Sequence, residues 1–96
     1  MSRRDRVLVT HREAILAAAA ANRATSIALV GSVARGDDGP DSDYDFVATF
    51  EPGATVFDIG GLLADLEDLL DGEVDVLDAG GLKARRAEVL AEAISL

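Results

Sequence analysis

An α/β fold is what this sequence predicts, because three short apolar runs that read as strands alternate with segments of helical period. A further observation marks where the chain does its work. In Ala28 to Phe50, ALVGSVARGDDGPDSDYDFVATF, an apolar run stops at Gly31 and Ser32, and a polar loop leads to Asp43 and Asp45 at the head of a second apolar run. Two carboxylates at i and i+2 on a strand share a face. Packing gains nothing from them there, whereas a divalent cation does.

Val7 to Asn22 reads as a helix, with Leu8, His11, Ile15, Leu16 and Ala19 at three- and four-residue spacing in an Ala-rich segment that Asn22 can end. His11, the single histidine, lies on or beside that stripe and is read as a packed or surface residue rather than a base. Thr25 to Val30 is a short central strand without a clear polar face. Gly31 permits the sharp turn that follows, and Val33 to Arg35 can form one helical turn with N–H groups facing an anion. Alone, Gly-Ser would be an ordinary strand-to-helix turn.

Gly36 to Ser42 is a loop, and Tyr44 to Phe50 is the second strand, with Tyr44, Phe46 and Ala48 on one face and Asp43, Asp45 and Val47 on the other. Glu51, Pro52 and Gly53 close it. The clearest helix carries Ile59, Leu62, Leu63, Leu66, Leu69 and Leu70 on one stripe, with Asp65, Glu67 and Asp68 opposite, Asp58 as the expected cap and Gly72 as the expected stop. Gly60 and Gly61 weaken its first turn. Glu73 to Asp78 is the third strand, with Val74, Val76 and Asp78 on one face and Asp75 and Leu77 on the other. Gly80 and Gly81 break it, and Leu82 to Ile94 reads as a last helix burying Leu82, Val89, Leu90, Ala93 and Ile94.

Its 96 residues suit a single domain, 1–96, with one core. Lacking cysteine, it has no disulfide, thiolate metal site or cysteine nucleophile. Apolar runs fall short of the ~20 residues that span a bilayer, and no signal-type apolar region opens the chain, so the expectation is a cytoplasmic protein with no membrane partner. Eighteen acidic against nine basic residues give a charge of −9, relieved only by Arg3, Arg4, Arg6 and the pair Arg85, Arg86. That balance argues against direct nucleic-acid binding. It suits a basic protein partner, or simply solubility.

Phosphoryl or nucleotidyl transfer needs the charge on the reacting phosphorus neutralised, which two Mg²⁺ held about 4 Å apart by carboxylates achieve. Asp43 and Asp45 supply such a pair, and Asp75 is the candidate third carboxylate from a neighbouring strand. Gly31, Ser32 and Arg35 would then cradle the phosphates. Rival readings fail on spacing. An EF-hand starting at Asp41 would place Phe46 where a sharp turn is required. No Walker A lysine follows a suitable glycine pair. A haloacid-dehalogenase-type phosphatase has its apolar strand before the acids, not after them.

Gly31-Ser32, then ten residues, then Asp43-Tyr44-Asp45 resembles the G-S-x10-D-x-D signature of minimal nucleotidyltransferases in the DNA polymerase beta-like superfamily. The wording GSVARGDDGPDSDYDFVATFEPGATVFD looks like that group, as do VDVLDAGGL and AEVLAEAI, so the resemblance covers Val7 to Leu96. It implies a small mixed sheet flanked by helices, with Asp43, Asp45 and Asp75 as catalytic metal ligands and Asp75 serving the metal that activates an acceptor hydroxyl. It implies ATP bound through Gly31 and Ser32, and Mg²⁺ as cofactor. The group commonly consists of antitoxins paired with HEPN-domain ribonuclease toxins, some of which transfer AMP to a toxin tyrosine. Tyr44 is then a strand residue, not an acceptor. Two alternatives stand beside this reading: an antitoxin that neutralises its toxin by binding alone, and a nucleotidyltransferase acting on a small alcohol.

Overall fold

The computed structural model describes residues 1–82 and 86–96. Arg85, and the part of the expected final helix over residues 83–85, lie outside the described residues. Four strands form one mixed sheet in the order β3-β2-β1-β4. β1 (Ala24–Val30) is antiparallel to β2 (Tyr44–Phe50), β2 is parallel to β3 (Val74–Asp78), and β4 (Ile94–Ser95) runs antiparallel along the other edge of β1. Around the sheet lie α1 (Arg3–Asp5), α2 (Arg12–Ala21), α3 (Gly31–Arg35), α4 (Val56–Leu70) and α5 (Arg86–Ala91).

The first helix departs from expectation. Instead of running from Val7, the chain makes a wide turn over Arg6–Thr10, closed by the His11 N–H donating to the Arg6 carbonyl at 2.9 Å, and regular α-helix starts only at Arg12. Val7, Val9 and Thr10 are β-branched and crowd a tight helical turn. The wider turn still drops Val7 fully into the core. Leu16, expected on the buried stripe, is exposed, while Ile15 and Ala19 are buried.

α4 crosses from β2 to its parallel neighbour β3, as a parallel pair requires. It begins before Asp58: Thr55 is the cap, its hydroxyl accepting from the Phe57 N–H at 3.2 Å, while Asp58 accepts from the Thr55 N–H at 2.8 Å. Asp58 is thus the return arm of a capping box, worth about 1 kcal/mol with its threonine. At the far end the left-handed residue is Asp71, not Gly72, which lies against the Tyr44 ring. Gly61 has a packing role, since a Cβ there would collide with the Asn22 amide oxygen; Asn22 also bridges α2 to α4 by donating to Asp65 at 2.8 Å.

One sheet face, carrying Leu29, Tyr44, Phe46 and Ala48, packs against Ile15 and Ala19 of α2 and Leu62, Leu66 and Leu70 of α4. The other carries Val30 and Val47, covered by Ala79, Leu82 and Val89. The last segment corrects the expectation most. Helix covers only Arg86–Ala91, Leu90 is exposed, and Ile94 is in a strand, with Leu29 opposite Ile94 and Ala28 opposite Ser95. The unpaired edge of β1 decides this, because the backbone groups of an edge gain partners from a strand and none from a helix.

Candidate functional site

At one end of the thinly covered face, register brings three chain segments together. Val30 pairs with Asp45 across β1 and β2, and Asp45 pairs with Asp75 across β2 and β3. The two carboxylates are therefore cross-strand neighbours on parallel strands. Gly31 turns sharply out of β1 with φ +76°, and a Cβ on it would stand 2.5 Å from Asp45 Oδ2. Glycine is needed here twice over, for the left-handed backbone and for the room it leaves beside the carboxylate.

A cavity of about 200 Å³ is lined by Val30, Gly31, Asp45, Asp75, Leu77, Val89 and Glu92. Asp43, exposed just before β2, lines a different, larger cavity of about 460 Å³ together with Arg3, Arg6 and Tyr44. The two members of the D-x-D pair thus line different cavities instead of one shared strand face, because β2 begins at Tyr44 and Asp43 precedes it, although Asp43 is near enough to act on Asp45 electrostatically. Ser32 follows Gly31 in the first turn of α3 and is half-buried; Arg35 closes that helix. His11 lies at the junction before α2 and lines neither of these two cavities.

Burial, then the charges of Asp75 and Asp43, push the Asp45 carboxyl above its ordinary range, and Arg35 only partly offsets them. Such a cluster is short of positive charge. Among the described residues, no three acidic or histidine side chains are gathered closely enough to hold a metal ion as they stand. The donor set nonetheless fits a hard divalent cation: carboxylate oxygens from Asp45 and Asp75 in register, Asp43 two residues away, and the 200 Å³ cavity that Asp45 and Asp75 line with Gly31. These are the residues that could hold one.

Glu92 is the residue that sequence reasoning missed. Its Oε1 accepts from the Gly31 N–H at 3.1 Å and its Oε2 accepts from Arg35 Nη1 at 2.7 Å. Arg35 also donates from Nε to Asp37 at 3.2 Å. The hydrogen bond from Arg35 holds the Glu92 carboxyl below its usual range, and Glu92, with Asp37, raises the guanidinium in turn. No local signal marks Glu92, which reads as one more surface acid of a helix. Its position follows from α5 ending at Ala91 so that the chain can return along β1.

The sheet thus sets a glycine turn against two carboxylates held in register. The model of the nucleotidyltransferase domain family matches residues 12–94, and the chain belongs to that family. It is similar over its whole length, and 97% of the other chain, to a structure described as a candidate minimal nucleotidyltransferase, with 41% identity and a TM-score of 0.86. A doubly substituted form of the MntA–HpeT toxin–antitoxin shares the fold at 16% identity and a TM-score of 0.71, matching 86% of this chain and 69% of that one. So does a toxin–antitoxin with AMP-PNP, at 20% identity and a TM-score of 0.66 over the same shares. Among the curated proteins none matches the chain. No helix among the described residues is long and apolar enough to cross a membrane.

Proposed function

We propose that this chain is a Mg²⁺-dependent nucleotidyltransferase of the cytoplasm, an antitoxin that transfers AMP from ATP to a tyrosine hydroxyl of a cognate HEPN ribonuclease toxin. The observation that carries the reading is the placement of Asp45 beside Asp75 in parallel register, with the Asp45 carboxylate against the side of Gly31 that carries no Cβ. Membership of the nucleotidyltransferase family supports the reaction class. The fold shared with MntA–HpeT and with the AMP-PNP form supports a toxin partner and a nucleoside triphosphate.

Asp43, Asp45 and Asp75 would hold the divalent ions, two in number, which supply charge neutralisation at the phosphates and lower the acceptor's proton affinity. Gly31, through its amide, and Ser32, through its hydroxyl, bind phosphate oxygens; Arg35 balances their charge. β2 and β3 hold Asp45 and Asp75 in register before substrate arrives, which lowers the reorganisation left for these two carboxylates. Asp75 would hold the ion that activates the acceptor hydroxyl, so its loss lowers rate more than nucleotide affinity.

The test is the intact mass of the HEPN-domain partner after incubation with this chain, ATP and Mg²⁺. Gain of one or more AMP units, absent with the Asp43→Ala, Asp45→Ala double variant, is the expected result. A stable complex with no mass gain would establish neutralisation by binding alone. Transfer to a small alcohol instead of the partner would establish the small-molecule enzyme.

A further inference from the structure

We propose that Glu92 is an internal competitor for the nucleotide's phosphates, its carboxylate occupying the Gly31 amide and the Arg35 guanidinium until an anionic ligand replaces it. The inference rests on the reading that Gly31 and Arg35 face the triphosphate. Both oxygens of Glu92 are engaged, one with each donor, at 3.1 and 2.7 Å. A phosphate group reaching the same two donors would make the same pair of charge-assisted hydrogen bonds. Glu92 also lines the 200 Å³ cavity with Asp45 and Asp75, so in its present place it adds a negative charge where a phosphate must enter.

The interaction is built to be exchanged. The Arg35–Glu92 pair is solvent-accessible, with side-chain exposures of 47% and 29%, and pairs so exposed are weakly held. Glu92 belongs to the short connection between α5 (Arg86–Ala91) and β4 (Ile94–Ser95), which is not part of the sheet ladder. Arg35 keeps Asp37 as a second acceptor when Glu92 leaves, so the guanidinium is still anchored by its Nε. Nucleotide affinity is therefore set by a difference: the hydrogen bonds that phosphate makes to these two donors, less those that Glu92 must give up.

Titration calorimetry with AMP-PNP and Mg²⁺ tests this on the wild type, Glu92→Gln and Glu92→Asp. Glu92→Gln, which cannot form an ion pair with Arg35, binds about three- to fivefold more tightly than wild type, the upper range for one exposed ion pair. Glu92→Asp keeps the charge but loses the reach, and binds about two- to threefold tighter for the same reason. Unchanged or weaker binding by Glu92→Asp overturns the inference, whether Glu92→Gln binds tighter through the general loss of negative charge or does not fold. Weaker binding by Glu92→Gln likewise overturns it and makes Glu92 a support for the turn. In both cases wild-type binding leaves the nucleotidyltransferase reading intact. Absence of binding by all three proteins overturns the inference and that reading together.

Discussion

The two faces of the sheet are held in different ways. On the helix-covered face lie all the largest fully buried side chains, among them Phe46, Leu29, Leu62, Leu66 and Leu70, supplied by elements with strong and regular apolar periods. On the other face the cluster of Val30, Val47, Ala79, Leu82 and Val89 is smaller, and each member keeps 3–9% exposure. Asp45 and Asp75 stand at the end of this second face. Stability is thus concentrated on one side, which frees the other to carry like charges that packing alone would reject.

The largest effect expected from that contrast is at Leu66. Leu66→Ala leaves a cavity under α4 and costs about 3 kcal/mol in urea denaturation, with nucleotide affinity unchanged for the folded fraction. A loss of affinity matching the loss of stability would break the comparison, because the two faces would then be one unit. Gly31→Ala ranks second. It imposes a left-handed backbone on alanine and drives a methyl into the Asp45 carboxylate, costing about 2 kcal/mol and also displacing Asp45, so both stability and nucleotide affinity fall. On the lightly packed face, Val89→Ala costs only about 1 kcal/mol by the same denaturation measurement.

The smallest effect has the opposite sign. Asp45 has a raised folded-state pKa, so whatever it contributes to stability is present below its unfolded value and is lost as pH rises through the folded one. At neutral pH and in chelator, Asp45→Asn therefore melts above wild type, and the two converge well below the ordinary carboxyl value of about 3.9, where the group is protonated in both states. Mg²⁺ raises the melting point of wild type and not of the variant. A wild type that is the more stable in chelator at neutral pH would mean that Asp45 is paired by the protein itself.

How much of this is legible in the sequence depends on whether a feature is decided locally. β2 follows from the apolar, aromatic and β-branched run Tyr44 to Phe50, the facing of its residues from the two-residue period of a strand, and the exit at Gly31 from one glycine. The third acid is readable because Asp75 sits between two valines in a strand, so its face is determined once the strand is. The wide turn over Arg6–Thr10 passes for helix, since apolar spacing over so short a stretch cannot distinguish hydrogen bonds that span four residues from those that span five. Ile94 misleads for another reason. Its helical period is real, but the open edge of β1 lies far away in sequence and offers backbone partners that no local pattern announces. Glu92 is lost with it, because its hydrogen bonds exist only once that pairing has formed.

The brevity of β4 has a dynamic consequence. Two residues paired to Ala28 and Leu29, a Leu96 N–H donating to Ile27 at 3.0 Å and an exposed Arg12 guanidinium donating to the Leu96 carbonyl at 2.8 Å are few bonds with which to close so long a stretch of chain. Such an edge opens by local fluctuation at a free energy far below that of the whole domain, and its amides exchange with solvent sooner than those of β2, which is paired on both sides. The carboxylate of Glu92 rides on this segment, two residues from Ile94. Each fraying of the edge therefore loosens the tether of that side chain, and the accessibility of the Gly31 amide is timed by the least persistent strand of the sheet.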